Sequence, residues 1–541
     1  MTPRTLILIA LLCLPALGLA EDAHPAYTVR MIDLGPVPDA TRILKETIRR
    51  DGRSVIWLVA DGAGQALVFN GHADPTFSVI KSGPVVSPDG ARLAYKIDVE
   101  GGAKRALVVD GKAGPSFDQV NNDSILFSPD GKSISYSAQR DGKTALVRDG
   151  QVIAEGSNIK SDAVFSPDFR RVAYKVDAGG DKRAVVLDGI QGPAFPQIDN
   201  SSMAFSRDGR HFVYLVTEGW GSTAKATVVL DGVPGETYEQ VTGLAFSPDS
   251  AHLAYIASRS GKECVVLDGK PGLPYDAIDP FFVRFTPDGR LGYRAVSGAR
   301  MFLVLDGKAA DECEGIFDWG TSANGKGLAY VVRTGEFWSV VFNGAKGEGF
   351  TAVPAPPALS PDGLQLAYAA QKGDRWIIVK DRQASAAWEQ IGQYPTFSAD
   401  GSHWGYIAQR SDKWLVVVDG EENGPFDWFT WDGLRFSPDG KRSAFAARKG
   451  DRWIICVDGK VMTGGDEAAG PPKFSADSRH FACMVRQGAQ WRLILDGEPG
   501  PLFDRMFGNV PDFAPDGSLE YLAVKGNRLV RVEHVPGSAP Q

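Results

Sequence analysis

The chain has 541 residues, 43% hydrophobic and 23% charged, with 62 Gly and 34 Pro. That is the composition of a folded protein with many tight turns, too long for one compact core of ordinary size. A net charge of -8 disfavours nucleic acid and anionic membrane surfaces as partners.

The first residues read MTPRTLILIALLCLPALGLAED. Arg4 supplies a basic start, Leu6 to Leu17 an apolar run, and Gly18 and Ala20 the small residues of a cleavage site before Glu21. Residues 1–20 therefore read as a signal peptide removed on export, which places the mature chain in the periplasm or outside the cell. The run is short for a membrane span. Cys13 follows Leu11 and Leu12 rather than small residues, which argues against a lipid anchor. No later apolar stretch is long enough to span a membrane, and loss of Arg4 leaves a net charge of about -9. The remaining cysteines, Cys264, Cys313, Cys456 and Cys483, form no C-x-x-C pair. Apolar packing is their expected role, with one or two bridges between consecutive repeats as the alternative.

Residues 21–45 precede the repeats and include YTVRMIDLGPVPDATRIL, which mimics the last two strands of a repeat unit. These are candidate strands for closing a ring. From there on the sequence repeats itself. The Asp of "SPDG" recurs as Asp51, Asp89, Asp130, Asp168, Asp208, Asp249, Asp288, Asn324, Asp362, Asp400, Asp439, Asp477 and Asp516, at steps averaging about 39 residues. Six residues later most units carry an aromatic, as in Tyr95, Tyr136, Tyr214, Tyr368 and Tyr406, inside an alternating run that reads as a half-buried strand. A second run such as ALVVDG or WLVVVDG ends in Asp-Gly or Asn-Gly, a hairpin signal. A short segment such as GPSFDQV follows, then the apolar entry into the next unit. Four short antiparallel strands per unit describe a propeller blade. The Asp and Gly of these turns recur a dozen times or more, whereas a catalytic residue is normally needed once, so the repeated Asp and Gly read as structural.

FSPDGKSISY, FSPDSAHLAY and LSPDGLQLAY resemble the signature of the TolB-type, WD-repeat-like propeller family. The resemblance covers about residues 40–535. It implies an all-β fold of tandem propellers, and the family's membership of envelope binding proteins and non-catalytic propellers implies an envelope partner. The chain departs from TolB in lacking a preceding α/β domain and in having about twice the repeats.

Thirteen blades exceed the usual four to eight. Trp338, Trp376, Trp414, Trp453 and Trp491 share one position in units eight to twelve, and units seven and thirteen share a Tyr moved one place earlier, at Tyr293 and Tyr521. The expected organisation is a first propeller over 46–318 and a second over 319–535, seven blades plus six, with six plus seven as the alternative and residues 536–541 as a tail.

No phosphate loop, G-x-S-x-G elbow or H-E-x-x-H motif is present. His211, His252, His403 and His480 occupy one position in four different units, which reads as a solvated strand start and not a metal site. No cofactor is expected. The variable loops leading into each unit's first strand are the expected binding surface. Asn122, Asp123, Asp199, Asn200 and Asp279 would give the first propeller an acidic, amide-rich mouth. Trp319, Trp428, Trp431 and Asp432 would give the second an aromatic one. The expected function is a non-catalytic scaffold for an envelope or extracellular protein or peptide. The alternative is a propeller lyase or hydrolase, or a binding protein, acting on a saccharide.

Overall fold

The structure is a computed structural model that describes residues 5–7, 27–49, 53–62, 64–81, 84–160, 163–219, 224–430 and 433–536. The rest of the expected leader, with Cys13, and the tail beyond Pro536 lie outside the described residues.

The two recurring turns set the strands. In the tenth unit the Ser398 hydroxyl donates to Asp400 Oδ1 at 2.6 Å and accepts the His403 backbone N–H at 2.9 Å. Asp400 Oδ1 also accepts the Ser402 N–H at 3.0 Å, and Gly401 takes φ 75° to close the loop. Hydrogen bonds from Ser398 and Ser402 hold the Asp400 carboxyl down at about 2. At the other end of the hairpin Asp419 and Gly420 have φ 52° and 88°, the left-handed pair that a two-residue hairpin needs. Asp419 Oδ1 accepts the Trp404 N–H at 3.0 Å, and Oδ2 lies 2.5 Å from His403 Nδ1. His211, His252 and His480 make the same pairing to Asp231, Asp268 and Asp496. The position expected as a solvated strand start is therefore a turn clamp, and at His480 it is buried. Where Arg stands instead, the clamp also crosses to the next blade. Arg92 pairs with Asp110 at 2.8 Å and donates to the carbonyls of Gly131 and Lys132.

Each unit forms one antiparallel sheet with strands in chain order. In the eighth these are Gly315–Thr321, Leu328–Thr334, Phe337–Phe342 and Ala345–Phe350, with Tyr330 opposite Val341. Thirteen such sheets form a propeller ring with almost no helix. Their faces are buried against one another. Among the described residues, at nine junctions the strand-two aromatic meets, edge to face, an aromatic from the segment after the preceding blade's hairpin. Examples are Phe117 with Tyr136, Phe350 with Tyr368 and Trp388 with Tyr406, at centroid distances of 6.2, 6.1 and 5.8 Å. Trp338, Trp376 and Trp453 pack at the edges of these cores, and Trp414 is buried within one. Cys264, Cys313, Cys456 and Cys483 are free thiols packed in them, and burial pushes Cys456 up to about 11, so the bridged alternative does not hold.

The last unit has three strands of its own, Arg505–Met506, Leu519–Lys525 and Arg528–Pro536. The fourth comes from the N-terminal segment, where Tyr27–Pro36 pairs antiparallel with Arg528–Pro536. Thr5–Ile7, inside the expected leader, adds a fifth strand outside it. Ile43–Ile48 then begins the first blade. Apolar clusters join every consecutive pair of blades, including the seventh to the eighth through Leu303, Cys313 and Tyr330, and the thirteenth to the first through Phe507, Leu522 and Trp57. The boundary expected at residue 318 falls inside the first strand of blade 8, and no gap in the packing marks it.

Two outcomes follow from this packing. Tyr368→Ala, which empties the aromatic contact between blades 8 and 9, lowers stability by about 3–5 kcal/mol in denaturant unfolding. His534 closes the last blade with only 3% of its surface exposed, and burial pushes its imidazole down to about 4. The unfolded chain takes up this proton near pH 6.5 and the folded chain does not, so stability drops as pH falls from about 6.5 to 4, by about 3 kcal/mol. In His534→Gln that part of the decline disappears, which a series of urea midpoints against pH detects.

Candidate binding clefts at the blade mouths

The mouth loops are the places where first-strand pairing slips. The register shifts between Asp199 and Ala204 in blade 5, between Ile316 and Trp319 in blade 8, and on both sides of Gln393 in blade 10. A residue released from the ladder is free to vary without breaking a blade.

In blade 3, Asn122 and Asp123 lie on a one-turn helix, Asn122–Ser124, between Gln119–Val120 and Leu126–Phe127. Asn121 accepts the Asp123 N–H at 3.2 Å, and Ser124 Oγ accepts the Ser137 N–H at 2.8 Å. Both candidate residues are exposed on a cleft of about 700 Å³ that also takes in Lys96, Gln119, Gln139 and Lys160. Asp199 borders a second cleft of about 520 Å³, its Oδ1 accepting from the Ser201 N–H and hydroxyl at 2.9 and 2.7 Å. Asn200 is in the same strand, and its side chain lies outside the described residues. Asp279 caps the turn Pro280–Phe282 and ion-pairs with Arg294, whose guanidinium lies 3.8 Å from the Phe282 ring centroid. Two features of charge were not visible in the expected acidic mouth. Asp279 is neutralised within its own blade, and the cleft at Asn122 and Asp123 carries two lysines.

The aromatic set divides. Trp319 is 2% exposed, its ring seated where a Cβ on Gly292 would stand 2.2 Å from Cη2, with Arg284 over it at 4.4 Å. It is a core residue of the junction between blades 7 and 8 and not a mouth residue. It lies within the strand Gly315–Thr321, opposite Tyr330, and not in a loop. Trp431 and Asp432 lie outside the described residues. Trp428 is 54% exposed, stacked on Phe429 at 5.9 Å, with Phe429 edge-on to Trp414 at 4.9 Å.

Phe429 belongs to the wall of the largest of these clefts, about 1040 Å³, which spans the first strands of blades 10 to 12. Tyr394 stands on the same wall, 45% exposed, beside Phe397, Phe436 and Phe474. Gln393 links blades 10 and 11 by accepting the Leu434 N–H at 2.8 Å and donating to its carbonyl at 3.1 Å. An exposed Tyr and Trp around a wide cleft bordered by polar groups can grip an apolar side chain while leaving hydrogen-bonding groups at the rim. Tyr394 escaped sequence reasoning because GQYPT lacks a second aromatic. Lys96 had a signal: it sits in a strand-two position that is apolar or small in most blades.

No family model matches the chain, and no curated protein matches it. Solved structures that match include a eukaryotic initiation factor, at 14% identity over 63% of this chain and 96% of that one, with a TM-score of 0.32. The propeller domain of the Trilobed protease from Pyrococcus furiosus matches at 13% identity over 51% and 96%, with a TM-score of 0.24. TolB from Acinetobacter baumannii matches at 14% identity over 61% and 82%, with a TM-score of 0.19. The propeller architecture itself rests on this chain's own strand pairing.

Gly392 leaves room for the cleft's aromatic wall. A Cβ there would stand 2.4 Å from Phe429 Cζ and 2.8 Å from Trp414 Cζ3. Gly392→Ala therefore displaces the Phe429 ring, lowers stability by about 1–3 kcal/mol and changes the tryptophan fluorescence of the native state.

Proposed function

We propose that the chain is an exported, non-catalytic propeller scaffold of the TolB type that binds a protein or peptide partner in the cell envelope, using the mouth of blades 10 and 11. The observation that carries this reading is the pair of half-exposed aromatics, Tyr394 and Trp428, at and beside the 1040 Å³ cleft. Large rigid aromatics at a cleft supply contact area at little cost in side-chain entropy, and they are the residues that anchor protein interfaces. Export rests on the leader read at residues 1–20, and the envelope partner rests on the resemblance of the SPDG repeats to TolB-type propellers.

The test is capture of binders from a native envelope extract by the immobilised chain from Glu21 onward, with Tyr394→Ala/Trp428→Ala alongside. The expected result is a stoichiometric protein that the double variant captures at least tenfold less, with an unchanged unfolding midpoint. Equal capture by both forms removes this mouth as the partner site. Recovery of a small molecule with no protein removes the scaffold reading.

A further inference from the structure

The strand-two residue following the interface aromatic faces the next blade, and it is apolar in most blades, as at Leu215, Ile256 and Ile407. Three blades place a cation there: Lys96, Lys175 and Arg294. Arg294 has two kinds of partner. It donates to the Ile316 carbonyl of the next blade at 2.6 Å and ion-pairs with Asp279 of its own mouth loop. Lys96 makes only the first of these contacts, to the Val120 carbonyl of the next blade at 3.3 Å.

The place of Asp279 is taken in blade 2 by Lys81. The equivalence is set by the backbone, since Asp279 N–H donates to the Arg294 carbonyl at 3.1 Å and Lys81 N–H to the Lys96 carbonyl at 2.9 Å. Blade 4 repeats the exchange, with Lys160 N–H on the Lys175 carbonyl at 2.8 Å. Two blades thus set lysine against lysine where a third sets aspartate against arginine. The Asp98 carboxylate, whose charge acts on Lys96, is shared by Lys81 at 3.2 Å and Arg105 at 3.0 Å. Lys160 Nζ donates to the Ser157 carbonyl at 3.0 Å, and among the described residues neither Lys96 nor Lys160 ion-pairs with a carboxylate.

Lys96 and Lys160 line the same 700 Å³ cleft, a volume suited to a small ligand. We propose that this cleft binds an acidic sugar of the uronate type, whose carboxylate supplies to Lys96 and Lys160 the counter-charge that Asp279 supplies to Arg294. The rest of the lining fits that class. Gln119, Asn121, Asn122 and Gln139 present carboxamides, which both donate and accept as sugar hydroxyls do. Among the described residues the lining holds no aromatic ring, so a neutral sugar finds no stacking platform there. Among the described residues of the lining Asp123 is the one carboxylate, and it is exposed to solvent, where its repulsion is screened. Burial and the charges of Arg105 and Lys81 hold the Lys96 ammonium below the ordinary lysine range, a burden that a bound carboxylate relieves. The site is on different blades from the aromatic mouth, so it stands independently of the scaffold reading.

The test is calorimetric titration of the full mature chain with β-1,4-linked diglucuronate, with cellobiose as the neutral counterpart and triglutamate as a carboxylate ligand without hydroxyls. The expected result is binding of diglucuronate at least tenfold tighter than of cellobiose or triglutamate, weakened by salt, and lost by tenfold or more in Lys96→Met and in Lys160→Met. Lys96→Arg retains it. Lys160 is exposed, so Lys160→Met reports on binding even if Lys96→Met fails to fold. Absence of diglucuronate binding, binding unchanged in Lys160→Met, or equal binding of cellobiose overturns the proposal, and tighter binding of triglutamate overturns the sugar assignment.

Discussion

A four-stranded blade has two faces and no way to bury either by itself. The whole molecule depends on each blade covering its neighbour, and the recurrent device is an edge-to-face pair of aromatic rings reaching across the junction. Phe350 comes from the end of one blade and Tyr368 from the second strand of the next. The pair therefore fixes the spacing and the order of the blades together. Where a blade lacks one partner, as at Cys313 opposite Tyr330, the junction still closes on aliphatic and sulfur contacts.

This nearest-neighbour design leaves one junction that the repeats alone cannot make. The thirteenth unit contributes three strands of its own, and an unpaired Arg528–Pro536 would be an open edge. Tyr27–Pro36 covers it, so the two ends of the chain meet in one sheet and Tyr27 Oη donates to the Gly517 carbonyl at 3.0 Å. Buried His534 and Tyr521 stand at this closure, 3.3 Å apart from Nε2 to Oη, and burial of His534 makes the closure sensitive to protonation.

The turns hold the strands, and this frees the mouths. Ser398, Asp400, Asp419 and His403 are fully engaged in closing a blade, while Tyr394 and Gln393 stand where the ladder has slipped and no turn dictates the residue. The same freedom explains why two mouths of one scaffold differ in chemistry. Around blades 2 to 4 it is lysine and carboxamide, and around blades 10 to 12 it is Tyr and Phe. Charge around the first follows from an exchange made twice, Lys81 and Lys160 standing where blade 7 has Asp279.

The sequence by itself determined the blade, because a strand's period of two, the Asp-Gly hairpins and the Ser-Pro-Asp-Gly turns are local properties that repeat. It also marked the N-terminal segment as candidate strands for closing a ring. Trp428, which it named from a variable loop, is exposed in the structure. It misplaced Trp319, because whether an indole faces solvent or a neighbouring blade depends on the glycine at position 292, twenty-seven residues away in the chain and in contact only after folding. The pairing of charge around the first mouths was hidden for a similar reason. Asp279 meets Arg294 across one sheet, and Lys96 and Lys160 share a cleft although they come from different blades. The order of blades around the ring, the packing across residue 318 and the pairing of charges are contacts between distant segments, and only the tertiary structure decides them.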